Sequence, residues 1–186
     1  MKRIKSVEEI NRKRKNNGVM IALIFIGLMV LSTLGYSLMS NDQREGIPSK
    51  VTENGYDFYR EGDLWVTVLN GQTQRFSYLP SELENISVEG SYDLGGYYNQ
   101  PLYLVGPSGA YSNVLNSIGA YLLRYQEACV EGLVCEEDLP IKSCDNNVII
   151  FSSAGETKVY NNQSCVYIQG DLTKATDAFL YKLWGV

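Results

Sequence analysis

The pattern of hydrophobic and polar positions divides the chain into two unlike parts. Residues 19–38 form an unbroken run of twenty uncharged, mostly aliphatic side chains, whereas apolar positions farther along alternate or recur at helical spacing. A helix rises about 1.5 Å per residue, so this run spans roughly 30 Å, the hydrocarbon thickness of a lipid bilayer. We therefore predict a tail at residues 1–17, a transmembrane helix in the bilayer at 18–39, a linker at 40–52 and a folded domain at 53–186.

Basic residues predict the orientation of this helix. Seven Lys and Arg side chains precede it, whereas only Arg44 and Lys50 follow it closely. Because positive charge is retained on the cytoplasmic side, the N-terminus is predicted to be cytoplasmic and the domain to lie outside. A cleavable signal peptide is the alternative interpretation. Its apolar core is usually about 7–15 residues long and ends at an Ala-x-Ala-like site, which residues 35–38 match poorly.

The domain begins with a region whose pattern is typical of β-strands. Trp65 and the alternating Val66 and Val68 indicate strands with two distinct faces. The predicted strands are residues 56–59, 64–69 and 74–78. Asn70-Gly71 predicts a hairpin turn, and residues 80–83 a single helical turn. Residues 87–100, which are rich in glycine and tyrosine, are predicted to form a surface loop.

The second half of the domain combines strand and helix patterns. Apolar residues at steps of three and four predict a helix that is capped by Ser108 or Ser112 and extends to Cys129. A closing helix is predicted at residues 173–183. The predicted strands are residues 102–105, 148–151, 158–160 and 165–168, of which the last two form a hairpin around Asn161-Asn162. This order predicts an α+β or two-layer α/β domain with an N-terminal hairpin region. A right-handed crossover would make the strands at 102 and 148 parallel neighbours.

Net charge differs between the two parts of the chain. Residues 1–17 carry seven basic and two acidic side chains, a net of +5, so the overall net charge of −5 leaves −10 for the remainder. An acidic domain argues against nucleic acid as a partner, because phosphate binding requires a basic surface. The basic tail is interpreted as a topology determinant that lies against anionic lipid headgroups.

The cysteines all fall within the predicted outer domain, at Cys129, Cys135, Cys144 and Cys165. Such a distribution is typical of an oxidising compartment, and four cysteines permit three pairings. We favour Cys129–Cys135, which closes a short loop after a helix, and Cys144–Cys165, which joins the ends of neighbouring strands. Zinc binding is less favoured, because structural zinc sites usually present cysteines about two to four residues apart.

The absence of histidine from the sequence narrows the chemistry open to the chain. It excludes Ser-His-Asp and Cys-His mechanisms and removes the usual general base near neutral pH. Residues 106–109 lack the full pattern of a nucleophile elbow or phosphate loop and are interpreted as a tight turn. Asp171 and Asp177 are a candidate acid–base pair, although Asp171 is more simply a helix cap. No cofactor is predicted.

Tyrosines provide the strongest candidate binding site. Tyr92, Tyr97 and Tyr98, followed by Asn99, resemble the tyrosine-rich surfaces that bind proteins or sugars. The alternative is that these tyrosines serve strands and amphipathic surfaces without binding a partner.

Two further sets of residues suggest an ion site and covalent modification. Asn85 and Asn162 begin glycosylation sequons on the predicted outer side. Consecutive acids after the first cysteine offer oxygen ligands to a hard cation such as Ca²⁺, but a solvated acidic loop has the same composition. The acids of this candidate ion site are Glu131, Glu136, Glu137 and Asp138.

The C-terminal half resembles uncharacterised single-pass membrane proteins of small-genome archaea of the DPANN type. The resemblance covers about a third of the chain and rests on Cys129, LPIKSC at 139–144, NVIIF at 147–151, CVYIQG at 165–170 and ATDAFLYKLWGV at 175–186. These segments are also similar, more loosely, to the C-terminal pieces of archaeal surface-layer domains. The resemblance implies an exported envelope protein and transfers no catalytic residue.

Together these features predict a membrane-anchored, extracytoplasmic interaction or structural protein of the cell envelope. Its partner would be an envelope protein or a glycan. Two other functions remain open from the sequence: an extracytoplasmic, carboxylate-dependent enzyme acting on glycans, and an ion-sensing or ligand-sensing domain.

Overall fold

The computed structural model describes residues 20–21, 23–30, 49–132 and 138–186. The chain divides into two compact units, Met1–Ile47 and Pro48–Val186. In the first unit the described residues are helical, and their side chains are exposed. None of the helices within the described residues is long and apolar enough to span a membrane. The predicted tail and most of the predicted span and linker lie outside the described residues.

An antiparallel meander of four strands opens the second unit. Its strands are β1 (Lys50–Glu53), β2 (Tyr56–Glu61), β3 (Leu64–Leu69) and β4 (Gln72–Phe76), paired in that order. β1 thus begins inside the predicted linker. Asn70 and Gly71 have left-handed φ angles of 48° and 78°, which suit the tight turn predicted between β3 and β4. The helical turn predicted next is also confirmed, as a 3₁₀ helix at Pro80–Leu83.

A six-stranded mixed sheet and two helices form the rest of the unit. In chain order its elements are β5 (Ser87–Val88), β6 (Pro101–Val105), α1 (Tyr111–Ile118), β7 (Arg124–Glu127), β8 (Cys129–Val130), β9 (Ile141–Lys142), β10 (Val148–Ser152), β11 (Lys158–Asn162), β12 (Cys165–Gln169) and α2 (Leu172–Trp184). The sheet order is β5-β11-β12-β10-β6-β7, while β8 and β9 pair separately. β6 and β10 are parallel neighbours, as predicted. The unit is therefore a mixed α+β domain.

Two apolar clusters cover the two faces of this sheet. On one face, alternate residues of β6, β10 and β12 pack against both helices and against Phe58 and Phe76 of the meander. On the other face, the intervening residues of the same strands pack against Ala128 and Val130. Since the meander shares the first cluster with the helices, both sheets belong to one core.

The predicted extension of the first helix to Cys129 is wrong. α1 ends at Ile118, and the following residues form β7 and β8 instead. Gly119 favours helix termination, and pairing with β6 gives the backbone of β7 a ladder of hydrogen bonds. The predicted cap is also wrong, because Ala110 precedes α1 and no side chain caps it. Cys129 is nevertheless buried, on a strand rather than at a helix end.

Two details of the C-terminal region concern the hairpin and the disulfides. The turn between β11 and β12 falls at Gln163-Ser164, two residues later than predicted, because pairing continues to Asn162 and Cys165. The predicted bridge between Cys144 and Cys165 is confirmed, with Cα atoms 4.9 Å apart. Cys129 is also disulfide-bonded. Cys135, its predicted partner, lies outside the described residues.

Candidate functional site

The tyrosine-rich segment at residues 87–100 divides its side chains between two environments. Tyr97 is only 8% exposed and belongs to the main core, and Tyr92 is half-buried against that core. Tyr98 is 66% exposed. The 3₁₀ turn Leu94–Gly96 and the short strand β5 order the segment, so its description as a plain surface loop is incomplete. Tyr92 and Tyr97 therefore face one site and Tyr98 another.

Tyr92 and Tyr97 line a cavity of about 240 Å³, which we call the tyrosine cavity. The opposite side of the cavity comes from the residue before β10 and from the hairpin of β11 and β12. Its polar side chains include Asp93, Asn147, Asn161 and Gln163. Within the part of the chain that the structure describes, Asp93 is the one charged residue that lines the cavity.

Hydrogen bonds and ring packing hold the walls of the tyrosine cavity in place. The hydroxyl of Tyr92 donates to the carbonyl of Glu89 at 2.6 Å, and its ring meets the ring of Phe179 edge-on, with centroids 5.2 Å apart. Burial raises the pKa of Tyr92 to about 12 and also raises the pKa of Tyr97. Asn147 Nδ2 donates to the carbonyl of Gly96 at 3.0 Å. At neutral pH the two tyrosines that line the cavity are therefore uncharged.

Tyr98 belongs to an exposed apolar surface at the edge of the large sheet. Its ring centroid lies 6.5 Å from that of Tyr121, and the N–H of the adjacent Asn99 donates to the Tyr121 carbonyl at 2.8 Å. Leu123 and Tyr125 follow along the same edge, 60% and 58% exposed. We call Tyr98, Tyr121, Leu123 and Tyr125 the edge patch. Sequence reasoning missed its last three members because it assigned them to a helix.

The edge patch borders a strand with one free side. Within the described residues, β7 pairs with β6 alone and ends the sheet. The N–H of Ala128, directly after β7, donates to the carbonyl of Leu104 in β6 at 2.9 Å. Because N–H groups alternate in direction along a strand, those of Tyr125 and Glu127 point away from β6. β7 therefore offers both backbone hydrogen-bonding groups and exposed apolar side chains.

A second, larger cavity lies between the meander and α1, where sequence reasoning named no site. It measures about 390 Å³ and is lined by Gln74, Arg75, Asn113 and Asn116 among others. The sequence feature that could have indicated this cavity is the pair Asn113 and Asn116, which lie three positions apart on α1. Beneath it, Ser117 Oγ donates to Gln74 Oε1 at 2.7 Å and accepts from Trp184 Nε1 at 2.9 Å. These two hydrogen bonds join α1, β4 and α2 within the core.

The two aspartates considered for acid–base work have separate structural roles. Asp171 caps α2 by accepting from the N–H of Lys174 at 3.2 Å. Asp177 is fully buried and accepts from the N–H groups of Ser77 and Tyr78 at 2.7 and 3.1 Å. Asp171 and Asp177 therefore do not face each other across a cleft, as an acid–base pair would.

The residues of the predicted ion site and the sequons are placed as follows. Glu131 and Asp138 are exposed, and Glu136 and Glu137 lie outside the described residues. Among the described residues, no three acidic or cysteine side chains are grouped so as to hold a metal ion. Asn85 and Asn162 are both exposed, the first in a turn and the second at the end of β11.

Asn99 contributes its backbone to the junction between the loop and Tyr121. Thus the four residues predicted to bind a partner fall at the tyrosine cavity, Tyr92 and Tyr97, and at or beside the edge patch, Tyr98 and Asn99. Comparison of the chain with protein-family models, with curated proteins and with solved structures finds no match.

Proposed function

We propose that this chain is a single-pass membrane protein of the cell envelope that binds another envelope protein through the edge patch. In this proposal residues 1–17 lie in the cytoplasm, residues 18–39 cross the membrane, and the α+β domain lies outside. The uncharged run and the basic tail support the anchor and its orientation. The Cys144–Cys165 disulfide supports an oxidising compartment.

The observation that carries the binding role is the exposed edge of β7. Edge strands present unpaired N–H and C=O groups, and soluble proteins usually protect them with charges, proline or a covering loop. Here Leu123 and Tyr125 are each more than half exposed beside that edge. Tyrosine and other aromatic residues are enriched at the centres of protein interfaces.

Strand addition is the binding mode that best suits this edge. An extended segment of the partner would pair with the free side of β7 and continue the sheet. Backbone hydrogen bonds would supply affinity, and contacts with the edge patch would select the partner's side chains. Arg124 and Glu127 border the patch with one charge of each sign, so the partner segment need not be strongly charged.

Site-specific photo-crosslinking in cells tests this proposal. A photo-crosslinking amino acid replaces Tyr125 in the full chain, and the matched control replaces Tyr59, which is exposed on the meander. We expect one discrete envelope-protein adduct from position 125 and none from position 59.

A second pair of variants decides whether strand pairing is responsible. Glu127→Pro removes an N–H that points away from β6, so the sheet should remain while strand addition fails. Glu127→Ala keeps the N–H and serves as the control. The adduct should disappear in the first variant and persist in the second. Equal adducts in both variants, or equal adducts from positions 125 and 59, would contradict the proposal.

A further inference from the structure

We infer that the tyrosine cavity binds a single neutral sugar unit. This surface is separate from the edge patch, and the inference does not depend on the protein partner proposed above.

The size of the cavity limits its ligand to one small ring. Cavities that hold drug-sized ligands measure about 300–1,000 Å³, whereas the tyrosine cavity measures about 240 Å³. Its shape is built by ordered elements: the 3₁₀ turn at Leu94–Gly96, the start of β10 and the hairpin of β11 and β12. The cavity is thus fitted to one monosaccharide unit, free or at the end of a chain.

The aromatic walls match the apolar face of a sugar ring. The face of an aromatic ring is electron-rich and attracts weakly positive C–H groups, which one side of a pyranose ring presents. The hydroxyl proton of Tyr92 is already donated to Glu89, so the residue offers a ligand its ring and its hydroxyl oxygen as an acceptor. Packing against Phe179 fixes the orientation of that ring.

The polar groups around the cavity match sugar hydroxyls. A hydroxyl both donates and accepts, as do the amides of Asn147, Asn161 and Gln163. One carboxylate oxygen of Asp93 accepts from the N–H of Gly95 at 3.2 Å. Because the carboxylate is charged, its second oxygen would accept from a ligand hydroxyl more strongly than the neutral amides would. An apolar ligand would leave these groups unpaired at a cost in affinity.

Charge distinguishes a neutral sugar from other small ligands. Among the described residues that line the cavity there is no lysine or arginine, and the one charged group is the Asp93 carboxylate, so phosphates and acidic sugars are disfavoured. A quaternary ammonium ion is the closest competitor, because two tyrosines and a carboxylate attract cations. The three amides, which such an ion cannot satisfy, favour the sugar.

Ligand-observed saturation-transfer NMR on the full chain in lipid nanodiscs tests this inference. The probes are methyl glycosides of glucose, galactose and N-acetylglucosamine, with methyl glucuronide as the anion and choline as the cation. We expect saturation transfer to the ring protons of at least one neutral glycoside, and none to glucuronide or choline.

Two neighbouring residues of β11 provide a matched pair of variants. Asn161 pairs with Val166 and lines the cavity, whereas Asn162 pairs with Cys165 and faces the opposite side of the sheet. Asn161→Ala should weaken binding about fivefold, the loss expected for one hydrogen bond, and Asn162→Ala should leave it unchanged. Asp93→Asn retains the turn cap and should weaken binding further, because it removes a charged acceptor.

Transfer to choline or glucuronide alone, or to none of the neutral glycosides, would overturn the inference. So would glycoside binding that is unaffected by Asn161→Ala. Glycoside binding should persist in Glu127→Pro, so failure of the edge patch and failure of the cavity are distinguishable.

Discussion

At the scale of single residues, Asp177 lies in an environment that disfavours a charged carboxylate. One oxygen accepts from the backbone N–H groups of Ser77 and Tyr78, and the other has no hydrogen-bond partner within the described residues. Burial raises the pKa of Asp177 from 3.8 to about 7, because desolvation of the charged form outweighs the two backbone donors. The residue holds the segment after β4 to α2, and below about pH 7 it does so mainly in its protonated form.

The raised pKa of Asp177 predicts that acid stabilises the domain. Between about pH 4 and pH 7 the folded protein retains a proton that the unfolded chain releases, so the free energy of unfolding falls as pH rises. The contribution is complete below pH 4 and is lost as pH passes 7. We expect a decrease on the order of 3 kcal/mol across this range in urea unfolding of residues 49–186.

Asp177→Asn should remove most of this dependence, because an amide keeps an acceptor for Ser77 and Tyr78 and does not titrate. Asp171→Asn, at an exposed cap, is the matched control and should leave the pH dependence in place. If the free energy of unfolding of the unmodified domain instead rises from pH 4 to pH 7, Asp177 is ionised in the folded state and the prediction is contradicted.

Single residues also show the limit of reasoning from sequence. Asp171 was recognised as a cap because its partner, Lys174, lies three residues away. Asp177 was considered as a catalytic acid, and its structural role was missed because its partners lie about a hundred residues earlier in the chain. Likewise, the neighbours Tyr97 and Tyr98 read alike in sequence but differ from 8% to 66% in exposure. Long-range packing decides such cases.

At the scale of elements, Ser117 joins the meander and both helices. Its hydroxyl donates to Gln74 of β4 and accepts from Trp184 of α2, and all three side chains are buried. Ser117→Ala would leave two buried polar groups unpaired, so we expect a loss of about 1–3 kcal/mol in the free energy of unfolding. Tryptophan fluorescence during urea unfolding measures this loss directly.

Ser112→Ala is the control on the same helix, since Ser112 is exposed. It should change stability by less than about 0.5 kcal/mol. Equal losses in the two variants would mean that the hydrogen bonds of Ser117 add nothing beyond the helix itself.

The Cys144–Cys165 bridge is the second device that joins elements. It ties the segment before β10 to the start of β12, across a sequence separation of 21 residues. Replacing both cysteines with alanine should lower the free energy of unfolding by roughly 3 kcal/mol, mainly because the unfolded chain gains freedom. The comparison is made by urea unfolding without reductant. An unchanged midpoint would show that the bridge does not constrain the unfolded chain.

Elements were predictable where the local pattern and the tertiary structure agreed. β3, the Asn70-Gly71 turn, β10 and α2 follow from alternation, turn chemistry and helical spacing. β7 did not, because Leu122, Tyr125 and Cys129 also fit a helical stripe. This segment becomes a strand because it pairs with the edge of β6, which lies too far away in sequence for a local pattern to include it.

At the scale of the whole molecule, the second unit, Pro48–Val186, combines a meander, a mixed sheet and two helices around a shared core. Its α+β class and the parallel pairing of β6 with β10 followed from the order of the elements. The edge patch and the tyrosine cavity did not, since each assembles residues from separate segments. Composition and charge suggested where the protein resides. The sequence also named the tyrosines of both binding surfaces, but only the fold showed that Tyr92 and Tyr97 lie apart from Tyr98 and which other residues complete each surface.

The central claim is that a membrane anchor holds this domain outside the cytoplasm, and protease protection in intact cells tests it most directly. The full chain carries a C-terminal epitope tag, and protease is added to spheroplasts before and after lysis. We predict that the tag is digested in unlysed spheroplasts while a cytoplasmic marker protein survives. A tag that survives until lysis would contradict the orientation, the oxidising compartment and the proposed envelope partner together.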